Sequence, residues 1–382
     1  MLERAWFALM KITYFAHDLS DAAVARRVRM LQAGGAEVAL LGFRRMADPV
    51  GTVEGVEALD LGQTFEGRLA TRAGLVLRRS LQAARWAPLI EGADVLLARN
   101  MEMCAIAAAT RARAGSRARL VYECLDIHGA VSGSGAASRL LRALERLILK
   151  HSAALVVSSP GFLTHHFDRL GVALPPVILA ENKRVLLDQA VVRPPHDITA
   201  GPPWRIGWFG LLRCVKSFQM LLDLASRFPG LVDIDLRGLP TAEVQALIDA
   251  NLPVPGMRFH GRYQQADLAA LYADRHLTWA VDYTERGRNS DWLLPNRIYE
   301  GGFYGLPAIA LAGTQTGQWL QDRGTGVVLA EPETELQPVL AGLDPARYAA
   351  LTAQAAAVPD SDLVWTRGDC VRLAAEIAGT AA

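Results

Sequence analysis

The chain has 382 residues, 51% of them apolar and 21% charged, and carries a formal net charge of +1; this is the makeup of an α/β protein with room for two domains, each with its own core. Its four cysteines, Cys104, Cys124, Cys214 and Cys370, form no CxxC pair, so neither a zinc site nor a disulfide framework is expected. No apolar run reaches the roughly eighteen residues of a spanning helix, which predicts a cytoplasmic protein, and the first ten residues are too short for a signal peptide, leaving Met1 or Met10 as the natural start.

The charge is uneven along the chain. Residues 1–190 hold 24 Lys and Arg against 18 Asp and Glu, whereas residues 191–382 hold 16 against 21, so the two halves are expected to meet different partners. Arginines gather at Arg26, Arg27 and Arg29, at Arg78, Arg79 and Arg85, at Arg111, Arg113, Arg117 and Arg119, and at Arg139, Arg142 and Arg146. Each cation near an anionic leaflet contributes about 1 kcal/mol of attraction, and the first half therefore reads as a basic surface for the inner face of the cell membrane. No aromatic residues interleave with these clusters, so nucleic acid is not an expected partner.

Taken in order, residues 11–16 have the apolar content of a buried strand, 22–33 follow a helical period, and 37–42 read as a second strand after Gly34 and Gly35. This is a βαβ opening, although the turn at 17–21 lacks the GxGxxG fingerprint of a dinucleotide site. Ser20 or Asp21 is placed to cap the helix. Further strands are expected at 56–61, 94–98, 119–123 and 154–157 with helices between them, which predicts a parallel sheet covered on both faces. Ligands of such sheets meet the residues that follow the strands. Asp126 and His128, beyond the strand 119–123 and before a glycine-rich loop, are thus placed to act on a substrate hydroxyl. Ser159 precedes Pro160 after the strand 154–157, a helix cap with proline at the first position. Residues 193–203 are rich in proline and read as a linker.

Strand–helix alternation restarts with 204–209. Gly210, Arg213 and Lys216 then lie at a strand-to-helix turn, and the chain has only four lysines. An arginine binds two phosphate oxygens at once and a lysine adds a point charge, so this turn suits a diphosphate. Strands at 233–237 and 257–260, each ending in glycine, and at 276–281 precede a long loop, 282–294, from which Tyr283, Asn289 and Asp291 are expected to touch a transferred sugar. Pro295, Gly305 and Pro307 bracket a short helix, about 295 to 304. Glu300 lies one and a half turns into it, where a carboxylate can accept two hydrogen bonds from a ribose diol while the helix start offers N–H groups to phosphate. The stretch 361–378 reads as a closing helix anchored by Trp365.

The string Pro295-Asn296-Arg297-Ile298-Tyr299-Glu300, followed by Gly305-Leu306-Pro307, resembles the donor-site helix of glycosyltransferases with the GT-B fold, family 4 in particular. That resemblance implies an α/β protein of two Rossmann-like domains with parallel sheets facing across a cleft. The domains would be an acceptor-binding one at 1–190, a linker at 191–203, a nucleotide-sugar-binding one at 204–358, and a C-terminal helix at 359–382 crossing back to the first. By the same likeness Glu300 holds the donor ribose, Arg213 and Lys216 bind the diphosphate, and Gly210, Asn296, Arg297 and Tyr299 line the donor. Many members have a further glutamate eight positions before Glu300; Trp292 stands there in this chain, and Asn289, Ser290 or Asp291 would substitute. His17 and Asp18 would face donor phosphate or acceptor, and Ser159 lies in a turn similar to the family's Ser-Pro-Gly.

Residues 122–129 resemble the inverting glucuronosyltransferases of xanthan-type polysaccharide synthesis, which place a base aspartate where Asp126 stands; His128 is the second candidate, since a neutral imidazole can do the same work. The implied activity is metal-independent transfer of a hexose or hexuronic acid from a nucleotide diphosphate sugar, UDP first among them, to a lipid-linked saccharide in exopolysaccharide assembly of the succinoglycan or xanthan type. No cofactor beyond the sugar nucleotide is expected. A sugar-nucleotide epimerase of the same fold and a non-catalytic sugar-nucleotide-binding subunit are the rival readings.

Overall fold

The computed structural model describes residues 10–64, 69–187 and 190–380. They divide into two compact units, one of the described residues within 1–181, 185–187 and 365–380, the other of 182–184 and 190–364. No helix among the described residues is long and apolar enough to cross a membrane.

The first unit is built on eight strands: β1 (Met10–Ala16), β2 (Ala36–Arg44), β3 (Thr52–Val53), β4 (Val56–Gln63), β5 (Val95–Arg99), β6 (Arg119–Cys124), β7 (Ala154–Val157) and β8 (Val177–Leu179). They lie in the order β3-β4-β2-β1-β5-β6-β7-β8, all parallel except the β3–β4 hairpin. Ile12, Leu97, Val121 and Val156 are fully buried within unbroken apolar runs, as a sheet covered on both faces requires. One face is covered by α1 (Ala22–Ala33) and the helix Arg367–Ala378, the other by α2 (Leu69–Leu81), α3 (Asn100–Ala114) and α5 (Ala136–His151). The short helices α4 (Gly129–Ser132) and α6 (Pro160–His165) follow β6 and β7. Strand order reverses between β1 and β5, so the residues after these two strands meet at a switch point. Asn100 opens α3 there with φ of +70°, a left-handed conformation costly for a side chain other than glycine.

The second unit has six parallel strands, β9 (Trp204–Leu212), β10 (Val232–Pro240), β11 (Met257–Phe259), β12 (Leu277–Trp279), β13 (Ala308–Leu311) and β14 (Val327–Leu329), in the order β11-β10-β9-β12-β13-β14. Its switch point lies between β9 and β12. Trp204, Trp208, Phe218, Ile234, Leu277 and Ile309 fill the core. Its helices include α7 (Val215–Arg227), α8 (Asn296–Phe303) and α9 (Pro332–Ala341). The bracketed helix thus forms as α8, with Pro295 as its N-cap and Gly305, at φ of +77°, just past its end.

The proline-rich stretch at 193–203 lies in the second unit. Arg193 donates to the carbonyls of Gly302 (2.6 Å) and Phe303 (3.3 Å) at the end of α8, and to those of Ala355, Ala356 and Val358 (2.8–2.9 Å) at the end of the helix Pro345–Ala357. One guanidinium therefore serves the terminal carbonyls of two helices. The closing stretch is not one helix. Asp360–Leu363 and Arg367–Ala378 are separated by a short strand, because Thr366 starts the second helix with a capping box to Asp369. Trp365 does anchor it, donating from its indole to the carbonyl of Glu181 at 2.8 Å.

Candidate active site

In the second unit the loops after β9 and β12 are tied together at the switch point. The thiol of Cys214 caps α7, accepting from the N–H groups of Ser217 (3.4 Å) and Tyr283 (3.2 Å), and the Ser217 hydroxyl donates to the carbonyl of Val281 at 3.0 Å. On this base Arg213 donates from Nε and Nη2 to Oδ2 of Asp282, at 3.0 and 2.7 Å. Oδ1 of Asp282 accepts from the amide and hydroxyl of Thr284. Burial alone would raise the pKa of Asp282, but the Arg213 guanidinium and the Thr284 bonds outweigh it and hold the carboxyl below its ordinary value. Lys216, in the first turn of α7, pairs with Glu333 and lies 4.0 Å from the centroid of the Tyr283 ring, whose hydroxyl donates to Glu333 at 3.3 Å. Two cations are thus held by carboxylates at the strand ends, and cations at a helix start oppose its dipole, which marks the place as one suited to an anion.

Backbone geometry opens the same edge. Gly210 and Gly238 are paired across β9 and β10 with φ of +107° and +128°, and a Cβ on Gly238 would lie 1.9 Å from the carbonyl oxygen of Gly210. No other residue fits there. Tyr263 approaches Gly210 from the β11 side, its phenol pushed up by burial and by the charge of Glu300.

Helix α8 brings the remaining groups. Arg297 donates to the carbonyls of Trp279 and Leu211, at 3.3 Å each, which seats the first turn of α8 on the ends of the two strands that carry Arg213 and Asp282. Asn296 is exposed at that helix start. Glu300 is partly buried and accepts from the hydroxyl of Tyr272 at 3.2 Å, so its carboxylate is oriented. A Cβ on Gly301 would lie 2.4 Å from Oγ1 of Thr278, which accounts for the glycine: α8 packs directly on β12. Tyr299 is a core residue rather than a donor-lining one, fully buried with its ring edge on Trp319 at 5.7 Å. In the loop 282–294, Asn289 is buried, Asp291 accepts from the N–H of Gly287 (2.7 Å) and pairs with Arg286, and Trp292 is buried as well.

In the first unit the residues singled out have different fates. Asp18 is buried and spends its carboxylate on the loop, accepting at Oδ1 from the amide and hydroxyl of Ser20 and the amide of Arg45. Ser159 is fully buried and caps α6, accepting from Gly161 at 3.2 Å, so both are structural. His128 is the N-cap of α4: its Nδ1 accepts from the amide of Ala130 at 3.1 Å. With Nδ1 accepting, the neutral ring carries its hydrogen on Nε2, a donor. Asp126 is exposed on the β6–α4 loop, whose backbone is steadied by the Ser158 hydroxyl on the carbonyl of Leu125 (3.2 Å).

Beneath that loop lies a cluster that the sequence did not disclose. Glu123, fully buried at the end of β6, accepts from Arg27 (2.6 Å), Arg99 (2.7 Å) and the Tyr14 hydroxyl (2.7 Å). Burial would raise its pKa, but Arg99 and Arg27 outweigh that and hold it at about 2. Nη2 of Arg99 donates to the carbonyl of Ala23, and Asp21 caps α1. His17 stands 3.5 Å from Asp21, its pKa lowered to about 4, first by burial and then by Arg99, so it is neutral near pH 7. The only sequence signal for this network was an acid inside an otherwise apolar strand.

A glycosyl transferase 4-like domain matches residues 21–182. The succinoglycan biosynthesis protein ExoL of Rhizobium meliloti (strain 1021) is 41% identical over 378 residues, covering 97% of this chain and 94% of that protein. Among solved structures, Anabaena HepE in complex with UDP and glucose has a TM-score of 0.67 at 17% identity over 97% of this chain and 99% of that one. Sucrose-phosphate synthase of Thermosynechococcus elongatus has a TM-score of 0.67 at 15% identity, covering 97% and 96%. At such identities the likeness shows the fold, and that fold is GT-B.

Proposed function

We infer, from the premise that this chain belongs to the glycosyl transferase 4-like family and is a glycosyltransferase, that it moves a hexose or hexuronic acid from UDP-sugar to a lipid-linked saccharide in exopolysaccharide assembly. The observation that carries the donor half is the convergence at one switch point of Arg213, Lys216, two paired glycines and the helix of Glu300. HepE was solved with UDP and glucose, and ExoL serves succinoglycan biosynthesis; both support this choice of donor and pathway.

In this reading Glu300, oriented by Tyr272, accepts the two ribose hydroxyls, and Gly210 lets the backbone approach the nucleotide. Arg213 and Lys216 leave Asp282 and Glu333 in part to bind the diphosphate, and together with the N–H groups of α8 they absorb the charge of the departing UDP without a metal ion. Asp126 takes the proton of the acceptor hydroxyl as that oxygen attacks the anomeric carbon. The cation-rich first half holds the enzyme on the anionic leaflet that carries the acceptor. Proton NMR of the product made from UDP-sugars and a lipid-diphosphate saccharide tests the transfer. Transfer with inversion supports the reading; hydrolysis or epimerisation of donor with no acceptor needed would overturn it.

A further inference from the structure

Helix α5 is turned the wrong way round for a helix of a closed globular core. Its inward face carries Ser138, Glu145 and Leu149, all buried, and Glu145 is engaged there by the hydroxyl of Tyr122 (3.0 Å) and Nε2 of His166 (2.7 Å). Its leucines at i, i+4 and i+7 point out: Leu140, Leu144 and Leu147 are 62%, 46% and 53% exposed. Each leucine is worth roughly 1.5–3 kcal/mol when fully buried, so a stripe of three left in water is an unspent driving force.

The stripe does not stand alone. Helices α2, α3 and α5 pack side by side on one face of the sheet, and α2 exposes Leu77 (62%) and Leu81 (80%) on that same side. The surroundings are cationic: residues 69–81, 100–114 and 136–151 hold nine Lys and Arg against two Asp and Glu. One of the two acids is the buried Glu145. Leucines bordered by Arg139, Lys150 and Arg78, with almost no acids, match a lipid leaflet with anionic headgroups, where the alkyl stripe enters the acyl boundary and the cations remain among phosphates.

We propose that the outer face of α5, with the end of α2, is the surface through which this protein inserts into an anionic phospholipid leaflet. This rests on the reading that the acceptor is lipid-linked, and it adds which residues enter the lipid. The placement also serves the reaction. Nη1 of Arg142 on α5 donates to the carbonyls of Val131 and Gly133, at 2.7 Å each, so the inserted helix is joined to α4 and the loop of Asp126, next to the headgroup from which an acceptor would rise.

The test is flotation of the full chain with vesicles of phosphatidylethanolamine and phosphatidylglycerol, and with vesicles of phosphatidylcholine alone, at low and high salt. The triple variant L140S/L144S/L147S changes only exposed side chains, and its melting curve and UDP binding should match the wild type. Its partition into the anionic vesicles should fall more than about tenfold, equivalent to ~1.4 kcal/mol. The variant R139E/K150E should instead weaken binding to the anionic vesicles at low salt and make what remains less sensitive to salt. Undiminished binding by the leucine variant overturns this assignment while the lipid-linked acceptor stands. No wild-type binding to anionic vesicles overturns both. A wild-type dimer that the leucine variant turns into monomer would show that a second copy covers the stripe, and would also overturn the proposal.

Discussion

Asp126→Asn keeps the size of the β6–α4 loop residue and removes its basicity. A general base contributes about 10²–10⁴-fold, so turnover should fall by that factor in a coupled UDP-release assay while UDP binding stays at the wild-type level. His128→Ala should cost about 1 kcal/mol in stability, the value of a lost cap, and leave the pH profile of turnover in place. Glu300→Gln replaces charge-assisted hydrogen bonds to ribose by neutral ones, worth roughly half as much, and UDP affinity should drop about tenfold or more by calorimetry. The pH dependence of stability follows from His17 and Glu123. His17 titrates near 4 in the fold and near 6.5 unfolded, so between those values the unfolded chain binds more protons and stability falls as pH is lowered. Glu123, at about 2 against an unfolded value near 4.3, extends the same trend to lower pH. Melting temperature should therefore decline from pH 6.5 downward, and His17→Asn should flatten the upper part of that decline; a decline unchanged in the variant would contradict the assignment.

At the scale of elements, the proposed donor site rests on α8 and the switch-point loops, and their supports are testable. Removing Arg193 takes the guanidinium donor away from five carbonyls at two helix ends. Arg193→Ala should destabilise the second unit by at least about 2 kcal/mol, seen as a lowered midpoint in urea. Most strands and the bounds of α8 were legible in the sequence, because buried parallel strands leave unbroken apolar runs and Pro295 and Gly305 punctuate a helix by their own backbone limits. The Arg213–Asp282 pair was legible only on one side: Asp282 lies 69 positions away, and local spacing says nothing of what meets across a switch point. Glu123 escaped for the same reason, since Arg27 and Arg99 come from other elements. The closing helix was drawn too long because a capping box interrupts an otherwise helical composition. The outward leucines of α5 were not read from the sequence, because the side they face is set by Glu145 meeting Tyr122 and His166 from other elements.

For the molecule as a whole, each unit carries its own part of the reading: Asp126 and the cationic helix layer in the first, the Glu300 helix and the Arg213–Lys216 turn in the second. The two-domain GT-B fold was visible in the repeated strand–helix alternation and in the Pro295–Pro307 string; the choice of sugar was not, and Trp292 and Asn289 in the preceding loop are buried. The central claim is that the second unit binds a sugar nucleotide through Glu300 and the Arg213–Lys216 turn. Isothermal titration of the purified chain with UDP tests it most directly. The account predicts a single binding event for UDP, weakened about tenfold or more in Arg213→Ala; absence of binding to uridine, guanosine and adenosine diphosphates alike, by a folded chain, would contradict it.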